Sequence, residues 1–126
     1  MGILEAAIPA VIICTRDRDR ATSFYRDILG LALDHEDAFA GVFRSGGTTL
    51  RVSTVEDFTA HGHTMLGFRV ADVAGAVRAL TDKGVAFKRF ERFAQDDLGI
   101  VTLAGGAVQV AWFEDPDGNV LSVTNV

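Results

Sequence analysis

Three histidines and one cysteine are the only classical soft or borderline metal ligands, beyond two methionines, among the 126 residues. Any reactive centre must therefore be assembled from a short list. Two of the histidines stand in the run His61-Gly62-His63-Thr64-Met65. On an extended strand side chains alternate with period two, so His61, His63 and Met65 would share one face. That spacing admits a displaced metal site, with Glu56, Asp57 and His35 as further donors. It equally admits histidines that face solvent or are hydrogen-bonded. An imidazole is the side chain suited to proton transfer near neutral pH, which makes His63 an acid–base candidate. Asp96-Asp97 sets two carboxylates side by side before Gly99, a pattern for paired acid–base work or for a solvated loop. Cys14 falls in an apolar strand pattern, and a lone cysteine excludes both a disulfide framework and a multi-thiolate zinc cage. The glycine pairs Gly46-Gly47 and Gly105-Gly106 join strands rather than open helices, so they do not make a phosphate loop. Neither a Walker sequence nor a dinucleotide fingerprint is present.

The chain that must position these groups has a formal charge of −5, from twelve basic and seventeen acidic side chains. That balance argues against a nucleic-acid partner. An apolar fraction of 48% with 23% charged residues is ordinary globular composition. No apolar run approaches the roughly 20 residues that span a bilayer, so no membrane partner is expected. The start of the sequence carries Glu5 and no basic residue before Arg16, unlike the charged region of a signal peptide, so a cytoplasmic location is expected.

The elements follow from period and punctuation. Ile8 to Thr15 is β-branched and apolar and predicts a buried strand. Asp17 or Asp19 can cap a helix by accepting backbone N–H bonds, and Ala21, Phe24, Tyr25, Ile28 and Leu29 recur at helical spacing until Gly30. Leu31 to Phe43 predicts two strands joined by a turn at His35-Glu36-Asp37, and Gly46-Gly47 leads to another strand, Thr48 to Ser53. The order then repeats. Leu66 to Val70 is a strand, Asp72 a cap, and Val73, Ala76, Val77 and Leu80 a helical stripe ended by Gly84. Val85 to Phe93, Ile100 to Leu103, Val108 to Phe113 and Val120 to Thr124 are candidate strands, the last pair turned by Asp115-Pro116-Asp117-Gly118. Laying Asp17 on Asp72 also lays Ala21 on Ala76. The chain reads as an α+β fold of two tandem βαβββ modules, about 5–54 and 65–126, joined by a linker at 55–64, within one domain spanning 1–126.

Two stretches carry a family resemblance: Thr15-Arg16-Asp17 followed by Phe24-Tyr25-Arg26-Asp27-Ile28-Leu29-Gly30-Leu31, and Trp112-Phe113-Glu114-Asp115-Pro116-Asp117-Gly118-Asn119. Together they resemble the first-module and last-hairpin signatures of the vicinal oxygen chelate superfamily, which includes glyoxalases, bleomycin-resistance proteins and extradiol dioxygenases. The resemblance implies two modules whose strands form a cupped mixed β-sheet around a pocket. It also implies four ligand slots in the metal-dependent members. Here those slots fall on Ala10, Arg51, Met65 and Ser122. A methyl, a guanidinium, a thioether and a neutral hydroxyl do not make a hard-cation cage. No metal or other cofactor is therefore expected.

What the resemblance implies instead is a small-molecule-binding protein of the metal-free kind, a homodimer that binds or sequesters an apolar or aromatic ligand, with or without an anionic group. Arg51 could pair such an anion bidentately, or could pair with an acidic side chain of the protein. Trp112 is a candidate stacking wall, Ser122 a hydrogen-bond donor, Met65 a pliable floor, His63 a polar contact, and Ala10 part of the small-residue lining. The alternative class is an enzyme, a glyoxalase-like lyase or isomerase or a dioxygenase-type catalyst with an atypical site. A third reading is an interaction subunit without a ligand.

Overall fold

Alternation along each strand decides which face goes inward. The computed structural model describes residues 2–126. In β1 (Val11–Thr15), Ile13 and Thr15 are buried whereas Ile12 on the opposite face stays 58% exposed. Strands β2 (Ala32–Glu36), β3 (Ala40–Ser45) and β4 (Thr48–Thr54) complete a four-stranded mixed sheet in the order β1-β4-β3-β2, in which only the β1–β4 pairing is parallel. The second module repeats the plan. Strands β5 (Thr64–Arg69), β6 (Val101–Leu103), β7 (Val108–Glu114) and β8 (Val120–Thr124) form a sheet ordered β5-β8-β7-β6, again with one parallel pairing, β5 to β8. The chain divides into two compact units between Phe58 and Thr59, inside the expected linker.

Each module's helix starts as the sequence predicts. The Asp17 carboxylate accepts the backbone N–H of Arg20 at 3.1 Å to open α1 (Arg18–Thr22), and Asp72 accepts that of Gly75 at 3.0 Å to open α2 (Val73–Asp82). These satisfy N–H groups that have no partner inside a helix. Val73 and Val77 of α2 are buried, as are Ala111 and Phe113 of β7 and Leu121 and Val123 of β8, the strands the helix contacts.

Four local expectations are corrected. The first helix is not one regular helix: after Thr22 it widens into a π-helical turn, Ser23–Ile28, and Leu29 N donates to the carbonyl five residues back, on Phe24, at 2.9 Å. Widening brings consecutive side chains nearer to one face, and both Phe24 and Tyr25 are buried, with Tyr25 against Phe43 at 5.9 Å between ring centroids. The first strand begins at Val11, so Ile8, Pro9 and Ala10 lie outside it and are exposed. The β2–β3 turn sits at 37–39, with His35 and Glu36 still in β2, because the Asp37 carboxylate accepts the N–H groups of Phe39 and Ala40 at 2.8 and 2.9 Å. Finally, 85–93 is not a strand but the start of a long irregular segment reaching to 100. Among the described residues, no helix is long and apolar enough to cross a membrane.

Candidate ligand site

Register places Trp112 of β7 beside Ser122 of β8, which in turn lies beside Gly67 of β5. Trp112 thus points away from the face that receives α2, since its neighbours Ala111 and Phe113 are the buried ones. Its indole N–H donates to Thr64 Oγ1 at 3.0 Å, which fixes the ring's orientation. Two phenylalanines from the irregular segment close on it. Phe93 stacks on the indole with centroids 5.6 Å apart and planes at 18°, and Phe90 meets it edge-on at 5.3 Å and 87°. Both are favoured aromatic geometries.

The segment holds its shape through polar ties. Lys88 N donates to Trp112 O at 2.7 Å. The Gln95 side chain accepts from Phe90 N at 2.6 Å and donates to Lys88 O and Gly99 O at 2.9 and 2.8 Å. Asp96 accepts from the N–H groups of Leu98 and Ile100, both at 2.9 Å, and Arg89 donates to the carbonyls of Asp96 and Asp97. The Asp96-Asp97 pair is therefore turn chemistry in this fold. Gly99 must be glycine: its φ is +93°, and a Cβ there would stand 3.1 Å from that of Phe87.

These walls line an open pocket of about 190 Å³, to which Phe90, Phe93 and Trp112 contribute rings and Gly62, His63, Thr64 and Val120 the remainder. Arg92 also lines it, its guanidinium carbon 5.0 Å from the centroid of Phe93 and 5.9 Å from that of Phe90. Lys88 lies 5.9 Å from the Phe90 centroid but is ion-paired with Glu114 at 2.9 Å. His63 stacks on His61 with centroids 5.1 Å apart. The arrangement can hold a flat apolar group against rings, with polar groups at one side.

Of the six residues singled out in the sequence, His63 and Trp112 are brought together in this pocket. Ser122 is buried next to Trp112 in register, and Met65 sits at the irregularity in the β5–β8 pairing, 38% exposed. Arg51 and Ala10 belong to the first unit. Arg51 of β4 donates to Asp37 at 2.8 Å, so of the two pairings open to it the one with an acidic side chain is formed. That guanidinium, helped by the Phe39 and Ala40 N–H groups, lowers the Asp37 pKa from 3.8 to about 2. Nearby, Arg44 and then His35 hold the Asp34 carboxyl below its ordinary range.

Thr64, Phe90, Arg92 and Phe93 were not foreseen. The signal was present in Phe87-Lys88-Arg89-Phe90-Glu91-Arg92-Phe93, whose aromatic residues recur every third position. Period two would put such residues on alternating faces of a strand, so that spacing already argued against the strand reading.

The four family ligand slots do not fit a divalent metal. Arg51 is a cation already engaged with Asp37, and Ala10, Met65 and Ser122 offer no hard anionic donor. Among the described residues no three His, Cys, Asp or Glu side chains are grouped as a metal cage.

The sequence profile of the Glyoxalase/Bleomycin resistance protein/Dioxygenase superfamily matches residues 7–123. No curated protein gives a sequence match. Among solved structures, a bleomycin resistance determinant encoded on the transposon Tn5 superposes with a TM-score of 0.69 at 21% identity, covering 92% of this chain and 94% of that one. A lactoylglutathione lyase from Agrobacterium tumefaciens gives 0.71 at 18% identity, covering 94% and 92%. A member of the same superfamily from Sphaerobacter thermophilus gives 0.70 at 21%, covering 97% and 98%. At such identities the likeness concerns the fold.

Proposed function

Because the chain belongs to the Glyoxalase/Bleomycin resistance protein/Dioxygenase superfamily, we propose that it is a metal-independent small-molecule-binding protein, taking an apolar or aromatic ligand in the pocket of its second unit. The observation that carries this reading is the convergence of Trp112, Phe90 and Phe93 around one open pocket of about 190 Å³. Mostly apolar walls with a few placed polar groups are the ordinary make-up of a ligand site. The irregular segment points the same way: a stretch as long as 85–100 without secondary structure is uncommon in a compact fold unless it serves binding. His63 at the pocket wall is the one feature favouring the second reading, an enzyme using side-chain acid–base chemistry.

Trp112 is the only tryptophan, so its emission reports on the site alone. Titration with a panel of small aromatic fragments should change that emission saturably. A flat response to every fragment would refute the pocket's role. A fragment converted rather than released unchanged would move the protein to the enzyme class. One equivalent of nickel, zinc, manganese or iron in elemental analysis of the purified protein would overturn metal independence. The reading includes a homodimer, supported by the exposed apolar side chains of Ile3, Leu4, Ile8, Ile12 and Phe39; a monomer mass in light scattering would remove that part.

A further inference from the structure

We infer that the ligand of this pocket is a single-ring aromatic monoanion whose charged group is received by Arg92; the inference rests on the pocket reading above and narrows it to a class. Size sets the first limit. A volume of about 190 Å³ corresponds to roughly six waters at about 30 Å³ each, below the roughly 300–1,000 Å³ of pockets for drug-sized ligands. One six-membered ring with a short substituent matches that volume.

Charge sets the second. A cluster of aromatic rings often receives a cationic ligand through the ring faces. Here the protein supplies those cations itself, with Arg92 against Phe90 and Phe93 and Lys88 against Phe90. A cationic guest would meet the like charge of Arg92 in the lining. Of the two resident cations, Lys88 is neutralised by Glu114 at 2.9 Å. Arg92 has no carboxylate within ion-pair distance among the described residues. One unpaired guanidinium matches one negative charge and presents the planar fork that binds a carboxylate bidentately. A second charge on the ligand would find no second arginine or lysine in the lining.

The test is a titration of Trp112 emission with four probes: benzoate, its neutral isostere benzamide, phenyltrimethylammonium and the dianion terephthalate. Benzoate should bind at least about tenfold tighter than the other three, the loss expected when a charge-assisted pair is forgone. In R92Q, which keeps a planar polar group without charge, the preference for benzoate over benzamide should disappear. A cooperative urea unfolding transition shows that the variant is folded. Equal binding of benzoate and benzamide, tighter binding of either other probe, or full benzoate affinity in R92Q overturns the class while leaving the pocket in place. No response to any of the four overturns the pocket and this inference with it.

Discussion

Replacing Gln95 by Met should loosen the wall of the pocket without touching a ligand. Methionine keeps the length and flexibility of the side chain and removes its amide. Three hydrogen bonds disappear, at 2.6 Å from Phe90 N and at 2.9 and 2.8 Å to Lys88 O and Gly99 O. Each such bond contributes about 0.5–1.5 kcal/mol net. Gln95 is only half-buried, so water can replace part of the loss, and about 2 kcal/mol is expected. Against a total stability of about 5–15 kcal/mol this is easily resolved in urea unfolding. The loss should also be local. The three bonds tie 88–99 together, and that stretch carries Phe90 and Phe93 onto Trp112, so Q95M should expose the indole and shift its emission to the red before global unfolding begins. A native spectrum identical to wild type, with a stability change below about 0.5 kcal/mol, would show that Gln95 does not hold the wall.

Thr64→Val removes the acceptor of the Trp112 indole N–H while keeping the shape. It should cost about 0.5–1 kcal/mol and speed hydrogen exchange at Trp112 Nε1; an unchanged exchange rate would show that the 3.0 Å bond is not formed in solution. Asp37→Asn probes the first unit. The Asp37 pKa is lowered from 3.8 to about 2 in the folded chain, chiefly by Arg51, so its carboxylate stabilises the fold fully above the unfolded value and progressively less as pH falls through the folded one. The gap between wild type and D37N in denaturant midpoint should therefore be constant above pH 3.8, narrow as pH falls toward about 2, and vanish below it; a gap that persists at lower pH would remove the ion pair as its cause.

Legibility in the sequence tracked how local the determinant is. Asp17 and Asp72 could be read as caps because a cap is decided by one side chain and the N–H groups three residues on. The paired glycines and the Asp115-Pro116-Asp117-Gly118 turn were legible for the same reason: Gly118 takes φ +87°, and the Asp115 carboxylate accepts the N–H groups of Asp117 and Asn119 at 2.9 Å. The π-helical turn was invisible, since its spacing differs from an α-helix by one residue over a single turn. The segment 85–93 misled because aromatic and β-branched residues favour strands only when a neighbouring strand is available. Its backbone is instead tied by a glutamine side chain that lies beyond it, at Gln95. Trp112 and His63 could be nominated from type and place, whereas Arg92 could not, because its partners come from the fold of that segment.

The two modules show how a repeated plan yields this pocket in the second unit. Ser122 and Arg51 hold matching places in β8 and β4, and their antiparallel partners across the pairing are Trp112 and Val42. In the first unit the chain leaves its helix at Gly30 and enters β2 at Ala32, which pairs at once with β3. That short route sets β2 directly beside β3, and Arg51, across from the buried Val42, is satisfied by Asp37 of the β2–β3 turn. In the second unit the helix ends at Gly84 and the corresponding strand begins only at Val101. The intervening residues are the ones that carry Phe90, Arg92 and Phe93 against a tryptophan where the first unit has a valine. The aromatic wall of the second unit is thus built by a lengthened connection laid over an enlarged side chain, with Ser122 between Trp112 and Gly67 in register.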